Sequence, residues 1–276
     1  MTVFRAAAYI VLFTAVLIPG YLIYMESIPL AGEEECFKVA EGAEQNTAMF
    51  KEKGLTAFVV GYTGATGRVL VRQLLEKQIF KRLVLIGRRK VEFEDDLYKD
   101  VEQKIVDFDN LSEHADAFAD TDVGYCCLGT TRGKSGVEGF KKVDYEYVMK
   151  TAEVSKSAGT KHFHLMSSLG ANKNSRFLYP QTKGKIEADV AALGFEHMSI
   201  YRPGVLLTKR DELRPAEWIF QGLLKPLTKI SSNIGASTET VAEGIIVNTV
   251  SAETRKPTEI LENKHILILT GDIKKK

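Results

Sequence analysis

Between an apolar run, "LTAFVVG" (55–61), and a run with apolar residues at helical spacing, "ATGRVLVRQLLEKQ" (65–78), the chain places Gly61, Gly64 and Gly67. Few arrangements satisfy that pattern. A strand must end, turn tightly and enter a helix, with a backbone bare enough for another group to approach. Glycine spacing of this kind between a strand and a helix suits a pyrophosphate, which then rests on the open N–H groups of the helix N-terminus. The pattern reads G-x-x-G-x-x-G, in place of the commoner G-x-G-x-x-G.

The same alternation continues downstream. Strands are expected at "RLVLIG" (82–87), "KIVDF" (104–108), "DVGYCCLG" (122–129), "HFHLMSS" (162–168) and "HMSIYRPG" (197–204). Helical spacing falls between them, at "SEHADAFA" with Ser112 as N-cap, at "VDYEYVMKTAEVSKSAG", and at "PQTKGKIEADVAAL" with proline in its first turn. A helix at "TETVAEGIIVNTVSA" and a last strand at "HILILT" (265–270) follow. Short apolar strands alternating with helices predict an α/β fold, a doubly wound Rossmann-type sheet that is mostly parallel, over residues 54–276. A net charge of +1 over 276 residues gives no electrostatic footprint for nucleic acid, so none is expected as a direct partner. Cys126 and Cys127 sit in an apolar run and read as buried strand thiols.

Chemistry gathers at the ends of the expected strands. Arg88 and Arg89 follow the second, where an NAD site would place a carboxylate for the ribose 2′-hydroxyl. Two guanidinium groups suit a 2′-phosphate instead, which favours NADPH as cofactor. Asp107, ending the third strand, is a candidate for the adenosine side. The fifth strand ends in Ser167 and Ser168, and Tyr179 and Lys183 lie four apart on one face of the following helix. A phenol titrates near about 10 and needs a neighbouring cation to move protons at neutral pH. Lys183 supplies one, and either serine could hold a substrate oxygen. His162 and His164 alternate on a strand, but no third ligand stands at metal-site spacing, so strand packing is the reading and no metal is expected.

The N-terminus differs. Residues 6–25, "AAAYIVLFTAVLIPGYLIYM", carry no charge over about the 20 residues that cross a bilayer as a helix. Residues 1–30 are therefore expected to be a membrane anchor, and polar residues 31–53 a linker or loose helix. A cleaved signal peptide is the alternative, for which "SIPLAGEEE" offers a poor cleavage site. The sequon at Asn110 falls close to the expected cofactor site, which favours a domain facing the cytosol.

Taken together, "LIGRRK", "VDF", "CCLGTTRGK", "KVDYEYV", "SSLGA", "KGKIEA", "YRPGVLL", "RPAEW" and "ILENK" resemble the HIV Tat-interacting oxidoreductase-like family of the atypical short-chain dehydrogenases/reductases, over about residues 50–265. The resemblance implies an NADPH-binding Rossmann-type fold. It implies that Gly61, Thr63, Gly64, Ala65, Thr66 and Gly67 hold the phosphates and that Arg88 and Arg89 take the 2′-phosphate. Leu128 and Gly129 would pass the ribose, and Leu206 and Arg214 would close over the cofactor. Tyr179 would be the proton donor and acceptor, with Lys183 also touching the nicotinamide ribose. It further implies either a reductase acting on a small carbonyl or alcohol, or a regulatory NADPH-binding protein with partners in growth control, apoptosis or nuclear transport. The usual members of that family lack the N-terminal span. The expected location is an endomembrane or the nuclear envelope, with a soluble cytoplasmic or nuclear form as the alternative.

Overall fold

The computed structural model describes residues 30–207, 235–251 and 256–275. The uncharged span at 6–25, Arg214 and the "RPAEW" block lie outside the described residues. Among those described, no helix is long and apolar enough to cross a membrane.

Seven strands form one sheet: β1 (Thr56–Val60), β2 (Arg82–Gly87), β3 (Glu102–Ile105), β4 (Val123–Cys126), β5 (His162–Met166), β6 (His197–Arg202) and β9 (Thr258–Glu262). Their order is β3-β2-β1-β4-β5-β6-β9, and every pair is parallel. The expected Rossmann-type α/β architecture is therefore present. Strands β7 (Val205–Leu207) and β8 (Gly235–Ser237) pair separately. Strand order reverses between β1 and β4, and in sheets of this type ligands bind in the crevice at that switch point, beyond the carboxyl ends.

Helices cover both faces: α1 (Glu33–Glu41), α2 (Ala43–Glu52), α3 (Ala65–Lys77), α4 (Arg132–Lys141), α5 (Val148–Ser157), α6 (Leu178–Ala191), α7 (Thr238–Val250) and α8 (Asn263–Leu269). A π-helical turn, Lys142–Tyr147, joins α4 to α5. One apolar cluster lies under α3, α7 and α8, around Leu70, Leu74, Ile245 and Ile266. The other lies under α5 and α6, around Phe58, Phe118, Phe163 and Ile186.

Four expectations are corrected. Residues 31–53, expected as a linker or a loose helix, are helical but not loose: α1 and α2 bury Cys36, Val39 and Phe50 in the core, and Lys264 pairs with Glu33 at 2.8 Å. Their period is weak because only those three side chains are fully buried, with Phe37 and Ala43 packing partly against the core. "HILILT" is helical, as α8, and the last strand is the preceding "TEILE". A short unbroken apolar run suits a buried strand or a buried helix equally. Here a capping box between Glu262 and His265 starts the helix, with the Glu262 N–H donating to His265 Nδ1 at 3.1 Å. The segment after β3 is a 3₁₀ helix, Leu111–Phe118, with Asn110 and not Ser112 at its N-cap. Strand β3 also begins and ends earlier than the apolar pattern of 104–108 suggests.

Candidate cofactor and active site

The glycine turn is built by close backbone contact. Gly61 has φ 82, and a Cβ there would lie 2.5 Å from the Cys127 carbonyl carbon and oxygen at the end of β4. A Cβ on Gly67 would lie 2.3 Å from the Gly61 carbonyl oxygen, which also accepts the Gly64 N–H at 3.0 Å. No side chain caps α3. Its first N–H groups, beside exposed Thr63 and Gly64, half-buried Ala65 and buried Thr66, therefore remain open for an anion. That cradle, which any side chain at 61 or 67 would fill, fits a dinucleotide pyrophosphate.

Arg88 and Arg89 project, exposed, from the end of β2. Two residues that sequence reasoning missed fix their turn. The Tyr62 ring packs over Gly87, where a Cβ would meet it at 2.8 Å, and its hydroxyl donates to the Arg89 carbonyl at 3.1 Å. Gln103, on β3, grips Val91 by both backbone groups at 2.9 Å. A cavity of about 260 Å³ lies beside this turn, lined by Tyr62, Thr63, Arg68, Val91, Phe93 and Tyr98 among others. Asp107 is engaged in its own turn, accepting the Asp109 N–H and the Asn110 side-chain amide, each at 2.9 Å.

The carboxyl end of β5 separates the two serines. Ser167 donates to the Glu187 carboxylate, which Arg202 grips at 2.6 and 3.0 Å before reaching Glu262 at 2.8 Å. Ser167 thus belongs to a structural chain of charges. The Ser168 hydroxyl oxygen is buried with no hydrogen-bond partner among the described residues. Such a group is rare enough to need a reason.

Tyr179 and Lys183 stand one turn apart on α6. Tyr179 is 43% exposed, with its ring stacked on Phe140 of α4 at 5.6 Å. Lys183 is buried and its ammonium lies 2.8 Å from the carboxylate of Asp144, in the π-helical turn. Burial opposes the ammonium charge, but Asp144, with lesser help from Tyr179, outweighs it, and Lys183 holds its proton above the usual lysine range. Asp144 was also missed. Its signal was an acidic side chain at a helical position that has to be buried. Pro180, not required by the Tyr/Lys spacing, accepts the Asn172 N–H at 2.9 Å. Beside it, Gly184 lets the loop at 172–173 press onto α6, where a Cβ would stand 2.2 Å from the Lys173 nitrogen.

Half-buried Leu128 and exposed Gly129 follow β4, with Gly129 against Asp144. Leu206 lies half-buried in β7. Cys126 is buried, which pushes its thiol up to about 12, so it stays protonated and inert. His162 and His164 lie in a buried hydrogen-bonded cluster, and no metal-binding group occurs among the described residues.

A parallel sheet with a bare glycine turn at its switch point and an open helix N-terminus behind it defines a Rossmann-type NAD(P)H-binding protein. The comparisons agree. The pattern of an NAD(P)H-binding family matches residues 61–213. Protein HTATIP2 of Rattus norvegicus is 46% identical over 224 residues, covering 81% of this chain and 92% of the relative. "Protein FMP52, mitochondrial" of Candida albicans is 35% identical over 66% of this chain and 85% of its own. A putative NAD-dependent epimerase/dehydratase from Bacillus halodurans shares the fold, with TM-score 0.57 at 18% identity, over 80% of this chain and 100% of that one. MoeE5 in complex with UDP-glucose and NAD aligns with TM-score 0.55 at 12% identity, over 79% and 81%. The chain belongs to the HIV Tat-interacting oxidoreductase-like family of atypical short-chain dehydrogenases/reductases.

Proposed function

We propose that the protein is an NADPH-dependent oxidoreductase that interconverts a small carbonyl compound and its alcohol. The observation that carries this reading is the buried Lys183 ammonium one helical turn from half-exposed Tyr179, at the same end of the sheet as the glycine turn. A bound nicotinamide supplies or accepts the hydride. Tyr179 gives the substrate oxygen its proton in reduction and takes it back in oxidation, with the Lys183 ammonium stabilising the phenolate. The unpartnered Ser168 hydroxyl, rather than Ser167, holds the substrate oxygen, because Ser167 is already spent on Glu187. Thr63, Ala65, Thr66 and the three glycines hold the phosphates. Leu128, Gly129, Lys183 and Leu206 flank the ribose and nicotinamide.

Exposed Arg88 and Arg89 support NADPH over NADH, since each guanidinium can take a 2′-phosphate in a charge-assisted contact. Titration with both cofactors is expected to give at least about tenfold tighter NADPH binding, about 1.4 kcal/mol. Replacing both arginines by alanine should remove that preference and leave NADH binding unchanged. Tyr179→Phe should keep NADPH affinity within a few-fold while turnover of carbonyl probes falls at least about a hundredfold. Full activity in Tyr179→Phe would overturn the catalytic assignment. Arg88→Ala/Arg89→Ala losing a cellular role that Tyr179→Phe retains would favour a regulatory NADPH-binding protein instead.

We further place residues 6–25 in a membrane with the 54–276 domain on the cytosolic side, on the strength of the uncharged span. The chain should then resist alkaline extraction, and a glycan on Asn110 would reverse the orientation.

A further inference from the structure

Exposed Arg88 and Arg89 stand directly before "KVEFEDD" (90–96), a stretch that holds the carboxylates of Glu92, Glu94, Asp95 and Asp96. A turn left free would let the two guanidinium groups fold onto those carboxylates, and a 2′-phosphate would then have to displace them. Lys90 does pair with Glu92, at 3.4 Å, but neither arginine enters an ion pair among the described residues.

Two side chains from other segments hold the backbone on either side of Lys90. Gln103, in β3, presents its amide to Val91 as a strand residue would. Its Nε2 donates to the Val91 carbonyl and its Oε1 accepts the Val91 N–H, both at 2.9 Å. Tyr62, which follows Gly61 in the glycine turn, is 4% exposed. Its hydroxyl donates to the Arg89 carbonyl at 3.1 Å and lies 3.4 Å from the same Gln103 oxygen. Its ring rests on Gly87, where a Cβ would meet it at 2.8 Å. The arginine turn and the pyrophosphate cradle therefore share one frame, joined through Tyr62.

We propose that Gln103 and Tyr62 are specificity-determining positioning residues. They clamp the turn from Arg88 to Val91 onto β3 and the glycine turn, hold both guanidinium groups off the carboxylates at 92–96, and so set the preference for a 2′-phosphorylated cofactor before it binds. A site ordered in advance loses less freedom on binding. A cofactor with a free 2′-hydroxyl makes no use of the arginines, so its affinity does not depend on the clamp. This inference rests on the role given to Arg88 and Arg89 above.

The test is a parallel titration of the full chain with NADPH and NADH. Gln103→Met keeps the length of the side chain but neither hydrogen bond, and should weaken NADPH binding about five- to tenfold with NADH affinity within about twofold. Tyr62→Phe removes the hydroxyl alone and should weaken NADPH binding about two- to threefold, with the same selectivity. On an Arg88→Ala/Arg89→Ala background Gln103→Met should weaken NADPH no further, because the groups it positions are gone. Unchanged NADPH affinity in Gln103→Met would overturn the proposal. So would a loss shared equally by both cofactors, or an undiminished loss on the arginine-free background. If Gln103→Met does not fold, the NADPH-to-NADH ratio in Tyr62→Phe decides. A preference that survives Arg88→Ala/Arg89→Ala removes the role of the arginines and the clamp with it, whereas a preference lost there but kept in Gln103→Met removes the clamp alone.

Discussion

Two buried polar clusters flank β5, and they are built differently. At the carboxyl end lie Lys183, Asp144 and Ser168, with an ion pair out of water and one hydroxyl unpartnered. Under α7 lies the second cluster, where His162 bonds Ser199 at 2.9 Å and His164 bonds Tyr201 at 2.9 Å and Thr249 at 3.3 Å. Tyr125 reaches Thr249 at 2.9 Å, and the Asn248 amide donates to Ser199, Tyr201 and Glu259. This cluster stitches β4, β5, β6 and β9 to α7, and burial holds both histidines neutral, His162 at about 3. The first cluster keeps full charge beside Tyr179, where the proposed proton transfer would take place. The second, with the Glu259 carboxylate at its edge, relies mainly on dipoles to fix one register across four strands. A buried polar group is therefore not by itself a site, and neither is an unmet hydrogen bond, since Asn248 Oδ1 in the second cluster also has no partner among the described residues; the distinguishing mark is the buried ion pair.

The sharpest way to break that contrast is to remove one charge. Lys183→Ala leaves Asp144 buried and unpaired, and urea unfolding should show a loss of about 3–5 kcal/mol. A loss below about 1 kcal/mol would mean that Asp144 finds water or a proton without strain.

Acid should act next, on the other cluster. A histidine that titrates near 6.5 in the unfolded chain and far lower when folded costs nothing above about pH 6.5, and stability is lost as pH falls toward about 3. At pH 5 the difference is about 1.5 pH units, or about 2 kcal/mol, for His162, and His164 acts in the same direction. Denaturation series between pH 7 and pH 5 should show this slope, and His164→Gln should flatten it.

Smaller effects separate the clusters further. Thr249→Val preserves shape but leaves the Tyr125 hydroxyl and a His164 nitrogen without a partner, so it should cost about 1–2 kcal/mol and leave NADPH affinity unchanged. Ser168→Ala removes a hydroxyl that bonds nothing among the described residues, and stability should change by less than about 0.5 kcal/mol. If Ser168→Ala destabilises as much as Thr249→Val, its hydroxyl belongs to the structural class.

What could be read from the sequence was local. The glycine turn, the strand–helix alternation, the Arg88–Arg89 pair and the Tyr179–Lys183 spacing all concern residues within a turn or two of each other, where backbone geometry fixes who is near whom. The sequence also left α8 ambiguous, since "HILIL" satisfies a buried strand and a buried helix alike until Glu262 and His265 cap it. It rated α1 and α2 as loose because three buried side chains make a faint period.

The tertiary structure decided everything that depends on a partner from elsewhere in the chain. Nothing near Asp144 in sequence points to Lys183, nothing near Gln103 to the arginine turn, and nothing in "SSLGA" says that Ser167 turns to Glu187 while Ser168 does not. A sequence records which groups are present. Whether a group keeps its charge, finds a hydrogen bond or is left open depends on desolvation and on what packs opposite, and those are set only when distant segments close over it.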